Sequence, residues 1–588
     1  MSTRHIAANG QAGTADVLER TGVPPLLGRK SLLLGMAASI GVIFANPALP
    51  SAAAATEPVS PLKWTPFTAY NLGQQVISPN NDVVSSKVAH TSSAGYFTDA
   101  AKWNLSCTYQ SAIELEVGNY GSPQAAINAA QELAVPVVVK FGRGTHTLAS
   151  PLTVTASDVT LDLGKATLVP THAGRVLTFT GTSGTRLSRV GVVGGSINCN
   201  NVGAGGVSFN YCNAPFVERT TVKNGLPHNA SGVGLFNCTD SLIRDFRADA
   251  VGIGIGTDGS VRTTISNCNV TAAKYGAITV YNGSHDSTVT GCTVNGYNTS
   301  ANSGGGGIHI YASDRCAVTG NSVDSGLVGG TEDSSGVRFR DSHDFTCTGN
   351  AVSGLGGAGI VVITMSNIGT GAGQGTITGN TVRGVRGSGI SVVLGSTGLA
   401  ASLFPVVITG NTVIGVRQVD VNAGVGIRVV ASADAAVIGD NYLNDLDGEG
   451  IVCGARASIV GNIIHNPGKG TLGSKSGIFV TGGVSVVSGN YCLDDQITKK
   501  MAAGLHIYLG AVVHASGNVY EGWSGAAVNN QGKQTVQVGE IASALVGFYG
   551  KAPVARPSAP PANATDLATA IALVNDLKTK LRTVGLLA

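Results

Sequence analysis

The chain reads Gly307-Ile308-His309-Ile310-Tyr311, then Thr319-Gly320-Asn321, then Gly336-Val337-Arg338-Phe339-Arg340, then Thr348-Gly349-Asn350. The first phrase, glycine followed by alternating apolar and variable residues, returns at Gly359, Gly389, Gly426, Gly477 and Gly504. The second returns at Asn380, Asn411, Asn462, Asn490 and Asn518, with intervals of 28 to 31 residues where it is plainest. Alternation with period two marks strands with one buried face. Self-similarity at this interval marks a solenoid, whose repeats bury their apolar faces only by stacking on their neighbours. The fold expected is all-β: a parallel β-helix.

Composition agrees with a stacked solenoid and narrows the partners. Charged residues make up 12% of the 588 residues, and there are 83 glycines; soluble domains average ~25% charged and ~7% glycine. Glycine suits tight corners between short strands. A formal charge of +3 without a dense basic run gives no footprint for nucleic acid. The ten cysteines show no CxxC or zinc spacing, so no metal and no cofactor is expected. Cys268 and Cys292 stand where later repeats have asparagine and read as stacked inward thiols. The Gly252-Ile253-Gly254-Ile255-Gly256 run reads as a strand, since no helix follows it.

Outside the solenoid the chain changes character. Residues 1–55 read as an export signal: Arg29-Lys30, the apolar run Ser31 to Ala45, and a small-residue cleavage site at Ala53-Ala54-Ala55. Gly28-Arg29-Lys30-Ser31-Leu32-Leu33-Leu34 resembles a twin-arginine signal with lysine in place of the second arginine. Residues 57–105, with Trp64, Phe67, Tyr70, Tyr96, Phe97 and Trp103, read as a small aromatic-rich β-module. Its tryptophans serve either to stack on sugars or to fill a tiny core, and the core is expected for at least one. This module resembles small β-modules of phage tail proteins and, more distantly, chitin-binding modules.

The β-helix is expected over 106–545, opened by a capping helix from Gln124 to Leu133 with Ala125, Ile127, Ala130 and Leu133 inward. The entry through Val137-Val138-Val139-Lys140-Phe141 to Val159-Thr160-Leu161-Asp162-Leu163 resembles the pectate-lyase-like superfamily. That resemblance implies a right-handed, single-stranded parallel β-helix, but carries over no catalytic residue; the superfamily's Asn-Thr-Asp, Asp-Asp and Gly-His-Gly signatures are absent. A Pro-rich linker (546–562) precedes a C-terminal helix (563–588), in which Leu567, Ala570, Val574, Leu577, Leu581, Val584 and Ala588 form an a/d seam. The seam predicts a homo-oligomer, and a resemblance of the flanking modules to phage tail-spike proteins implies a trimer.

Stacked strands turn outward residues into columns. The sequence register gives one column of Phe236, Gly254, Thr279, His309, Arg338, Val361, Ser391, Arg428, Val452, Phe479 and His506. The other runs Cys238, Gly256, Tyr281, Tyr311, Arg340, Ile363, Val393, Val430, Gly454, Thr481 and Tyr508. Most rungs are apolar or small, as expected of a covered face. Tyr281, His309, Tyr311, Arg338 and Arg340 form one polar patch, ringed by Asp286, Asp314, Glu332, Asp333, Asp341, His343 and Asp344.

A polysaccharide lying along the axis would stack on Tyr281 and Tyr311, with its carboxylates on Arg338 and Arg340. Two chemistries fit. A glycosidase needs carboxyl groups about 5–9.5 Å apart, for which Glu332 or Asp333 with Asp341 is the candidate pair. A lyase or epimerase needs a base, His309 or Tyr311, beside cations that steady an enolate, Arg338 and Arg340. The expected function is an exported, polysaccharide-degrading protein, with hydrolysis placed first. The rivals are a non-catalytic adhesin or tail-spike-like glycan binder, and a purely structural solenoid. The asparagine series is read as structural.

Overall fold

The structure, a computed structural model, describes residues 113–532 apart from 134, 203–204, 226–230, 300–304, 327–333, 365–373, 395–404, 419–423, 431–434 and 471–474. It also describes 62–63, 67–71, 75–77, 83–93, 99, 102–107, 534–537, 545–546, 554–555 and 567–583. The expected export segment, Trp64, Tyr96, Phe97, Glu332 and Asp333 lie outside the described residues. The chain divides into two compact units, 1–109 and 110–588.

In the first unit, strands Leu62–Lys63, Gln75–Ile77, Val83–Ser86 and Trp103–Cys107 make a four-stranded sheet. Trp103 and Tyr70 are buried and meet edge to face at 5.1 Å, with His90 5.0 Å from Trp103. Trp103 therefore fills the core of this small module.

The second unit is a parallel β-solenoid. One long sheet takes a single strand from each coil and has fifteen strands, from Leu152–Val154 to Ala526–Asn530. The remaining strands come in pairs within each coil, such as Thr288–Thr290 and Thr293–Asn295, and stack in register with the pairs above and below. Inward Val, Ile, Leu and Phe make one continuous core, in which Ile390 and Ile427 are fully buried. No helix among the described residues is long and apolar enough to cross a membrane.

The second sequence phrase is the corner between paired strands. In Thr319-Gly320-Asn321 the threonine ends a strand, Gly320 takes φ +63°, and Asn321 turns inward. A left-handed corner favours glycine because a Cβ crowds the following carbonyl. The Asn321 side-chain amide donates to Oδ1 of Asn350 at 3.0 Å. The bond repeats at 2.9–3.0 Å through Asn380, Asn411, Asn441, Asn462, Asn490 and Asn518. Asn441 is a rung the phrase misses, because Asp440 rather than glycine holds the left-handed position before it, at φ 54°. Cys292 opens the column by donating its backbone N–H to Asn321 Oδ1 at 2.9 Å. Cys268 and Cys292 are buried free thiols, as their place in the column requires. A second buried column passes from Cys238 through Ser260, Ser284, Ser313 and Ser342, each backbone N–H bonded to the next hydroxyl at 2.9–3.1 Å.

Helix α1 (Pro123–Glu132) covers the first coil, with Ser122 as its N-cap. Its buried face is Ala126, Ile127 and Ala130; Leu133 is 41% exposed. The face is thus rotated from the expected one, because Gln124 is used differently. The Gln124 side chain bonds both backbone groups of Thr153, at 2.8 and 3.0 Å, and so satisfies the open edge of the first long-sheet strand. Helix α2 (Leu567–Thr583) leaves Ile571, Val574 and Leu577 more than half exposed. Across the start of the stretch read as linker, Leu545–Val546 and Val554–Ala555 pair antiparallel.

The asparagine column gives a graded prediction. Asn380→Ala strips the partner from the buried N–H and amide of Asn350 and from the Cys347 carbonyl. Each buried group left unsatisfied costs about 1–3 kcal/mol. Asn518→Ala strips the same kinds of group, the N–H and amide of Asn490 and the Val487 carbonyl. Asn518 is 7% exposed against 1% for Asn380, so water replaces part of what is lost and the cost should be smaller. Chemical denaturation of the two variants checks the order, and equal midpoints would contradict it.

Candidate functional site

The long sheet brings Tyr281, His309, Tyr311, Arg338 and Arg340 together on three adjacent strands. Thr279, His309 and Arg338 are in register, as are Tyr281, Tyr311 and Arg340. Upstream, the sequence register needs correction by two residues. Gly256 pairs with Thr279 and Asp258 with Tyr281, while Gly234 and Phe236 stand opposite Gly256 and Asp258. The cause is the run of alternate glycines, which fits the first phrase in two frames. Gly254 is the true anchor: its Cβ would strike Val270 in the core, as a Cβ at Gly307 would strike Val323.

His309 and Arg338 are 4% and 3% exposed, beneath the surface, while Tyr281, Tyr311 and Arg340 are half-buried. Nδ1 of His309 lies 2.9 Å from the Tyr281 hydroxyl, and the two rings meet edge to face at 5.0 Å. Nε2 of His309 is buried and has no partner among the described residues. Burial, reinforced by Arg338 and Arg340, holds the imidazole well below its ordinary pKa, so it is neutral. Burial also raises the Tyr281 phenol. The Arg340 guanidinium lies over the Tyr311 ring at 5.1 Å, and its Nε is 3.8 Å from Asp341. Asp341 follows the strand in a left-handed turn, φ 51°, with its side chain 5% exposed. No pair of carboxyl groups is formed among the described residues here, since Glu332 and Asp333 lie outside them.

The acids around the patch mostly have structural partners. At one corner a column of left-handed residues runs Asp158, Arg189, Ala214, Asp240, Arg262, Asp286, Arg315 and Asp344. Arg189 binds Asp158, Arg262 binds Asp240 and Arg315 binds Asp286, each through Nε and Nη2. Their arginines hold Asp240 and Asp286 below the usual carboxylate range. Next to them Asp314 accepts the His343 backbone N–H at 2.8 Å, and its own N–H bonds Nδ1 of His285 at 2.9 Å. Among the described residues no three His, Cys, Asp or Glu side chains converge as a metal site would need.

Beyond the patch the outward side chains of Ala358, Val361, Ile363 and Val393 form a closed apolar cluster. Further along, Arg428, Val452, Phe479 and His506 continue the column, with Glu449 and Lys475 paired beside them at 3.3 Å. The four rungs are visible in the sequence, but Glu449 and Lys475 are not. Both precede the repeat's glycine or its strand, where the alternation gives no signal.

These features define a parallel β-helix protein with a polar and aromatic outer sheet face. A family model described as "Periplasmic copper-binding protein (NosD)" matches residues 297–491. No curated protein matches the chain. Among solved structures, the tailspike of E. coli bacteriophage HK620, in complex with a pentasaccharide, is 14% identical. The match covers 70% of this chain and 75% of that one, with a TM-score of 0.46. The Streptococcus pneumoniae surface adhesin PfbA is 14% identical over 60% of this chain and 90% of its own, TM-score 0.41. The mannuronan C-5 epimerase A-module (AlgE4) of Azotobacter vinelandii is 14% identical over 72% and 100%, TM-score 0.33. At such identities the likeness is one of architecture, and the chemistry has to be read from this chain's own residues.

The buried imidazole carries a pH signature. Below its ordinary pKa of 6.5 the unfolded chain takes up a proton that folded His309 refuses. Its contribution is therefore complete above that value and is lost as pH falls, by up to ~1.4 kcal/mol per pH unit. His309→Gln should flatten the stability curve between about pH 6.5 and 5. Melting curves across that range check this, and an unchanged slope would remove the neutral buried histidine.

Proposed function

We propose that this is an exported β-helix protein that acts on an acidic polysaccharide held along its fifteen-stranded sheet, at the coils of Tyr281 to Arg340. The observation that carries the reading is the alignment of Tyr281, Tyr311, Arg338 and Arg340 around a neutral imidazole. Half-exposed Tyr311 and Arg340 offer a sugar ring a stacking surface and a carboxylate a bidentate donor. In the tautomer that carries its proton on Nδ1 and donates it to the Tyr281 hydroxyl, His309 keeps a lone pair on Nε2; the other tautomer would leave no base there. Such a base, with two guanidinium groups to steady the developing enolate, suits proton abstraction next to a uronate carboxyl. This favours lyase or epimerase chemistry. Because His309 is buried, a substrate reaches Nε2 only once that nitrogen is exposed.

Hydrolysis remains the reading of Glu332 or Asp333 with Asp341. The experiment that separates them incubates the mature protein with plant, algal and bacterial polysaccharides, following reducing ends, unsaturated-uronate absorbance and epimer content. The lyase or epimerase reading expects His309→Ala to lose at least about a hundredfold in turnover, with Glu332→Gln, Asp333→Asn and Asp341→Asn active. Loss in a carboxamide variant with His309→Ala unaffected would establish the hydrolase. Binding without turnover in the wild-type protein would leave a glycan-gripping adhesin.

The assembly is part of the same proposal. The exposed Val574 and Leu577 belong to the a/d seam of α2, and self-association would bury it. Deleting 562–588 should turn a trimer into a folded monomer by light scattering, and an intact protein that is already monomeric would exclude this.

A further inference from the structure

The second group on the sheet face has the shape of a binding slot. Phe479 and His506 stack at 4.5 Å with their planes 18° apart, and Tyr508, 46% exposed, meets Phe479 edge-on at 6.1 Å. Burial lowers the His506 pKa, so the stack is one of neutral rings. His506 covers one face of Phe479. The other looks toward Val452 in the preceding coil, and beyond Val452 stands Arg428.

Two coil steps of ~4.8 Å separate Arg428 from Phe479, leaving a gap of ~9.6 Å floored by the short Val452 side chain. One sugar ring in contact on both sides fills such a gap. Arg428 is half-buried, and unlike Arg189, Arg262, Arg315 and Arg417, which bind aspartates, it has no ion pair or side-chain hydrogen bond among the described residues. The Glu449–Lys475 pair, 12% and 15% exposed, lies at the side of the slot.

We infer that Arg428, Val452 and Phe479 form a second glycan subsite, taking one acidic sugar ring with its apolar face on Phe479 and its carboxylate on Arg428. Glu449 and Lys475 meet its hydroxyls. The inference rests on the acidic polymer proposed above and places a second hold on it, centred on Val452, four coils, ~19 Å, from Arg338.

The test titrates the full-length mature protein with oligogalacturonate, oligomannuronate and, as neutral control, a cello-oligosaccharide by calorimetry. Arg428→Gln and Phe479→Ala should each weaken the acidic probe that binds best at least tenfold. Arg428→Gln, at a half-exposed position, should leave the melting temperature unchanged. Affinity lost in Arg340→Gln but intact in Arg428→Gln overturns the slot and keeps the site at Tyr281 to Arg340. The opposite pattern keeps the slot and removes that site. No binding of either acidic probe by the wild-type protein also overturns the slot.

Discussion

A coil of this solenoid closes only if the polar groups at its corner are satisfied where water is excluded. The structure meets that constraint with side chains that bond along the axis. Each inward asparagine takes the backbone N–H and amide of one neighbour and reaches a carbonyl and an amide oxygen with its own hydrogens. Left unpaired, those groups would each cost as much as several buried methylenes return. The bonds link coils that are otherwise held by backbone ladders and apolar contact, and from Cys292 to Asn518 they hold the register on which the outward columns depend.

Register is why so much of the fold was legible. Glycine before alternating residues, and glycine-asparagine after threonine, are local demands of one strand and one corner, repeated until they cannot be missed. Where the local demand can be met otherwise, the reading slips. Asp440 fills a glycine's place and hides the rung of Asn441; glycines at 252, 254 and 256 allow two frames. Gln124 looked like one turn of an amphipathic helix, but its amide is spent as a surrogate strand on Thr153. None of these breaks periodicity, so none announces itself.

The site was half legible, for a related reason. Alternation places Tyr281, His309, Tyr311, Arg338 and Arg340 on one face, and stacking makes them neighbours. It does not say that His309 and Arg338 are buried while Tyr311 and Arg340 are half-open, because alternation fixes the face a side chain takes and not how much of it water reaches. Nor does it tell an acid that serves a substrate from one that serves an arginine a coil away. Asp286, beside the patch in sequence, is held by Arg315.

The corner column of acids and arginines bears on how such a chain lengthens. Without Ala214 the column alternates strictly: Asp158, Arg189, Asp240, Arg262, Asp286, Arg315, Asp344. A single coil copied into that array would set like charges one step apart, ~4.8 Å, whereas two copied together would keep the pairing. The coil of Ala214 breaks this parity, and does so with a neutral residue. It has the form of a lone coil spliced in where its charge was removed. The asparagine column carries no sign and imposes no such arithmetic, so duplication in that half of the molecule can proceed one coil at a time.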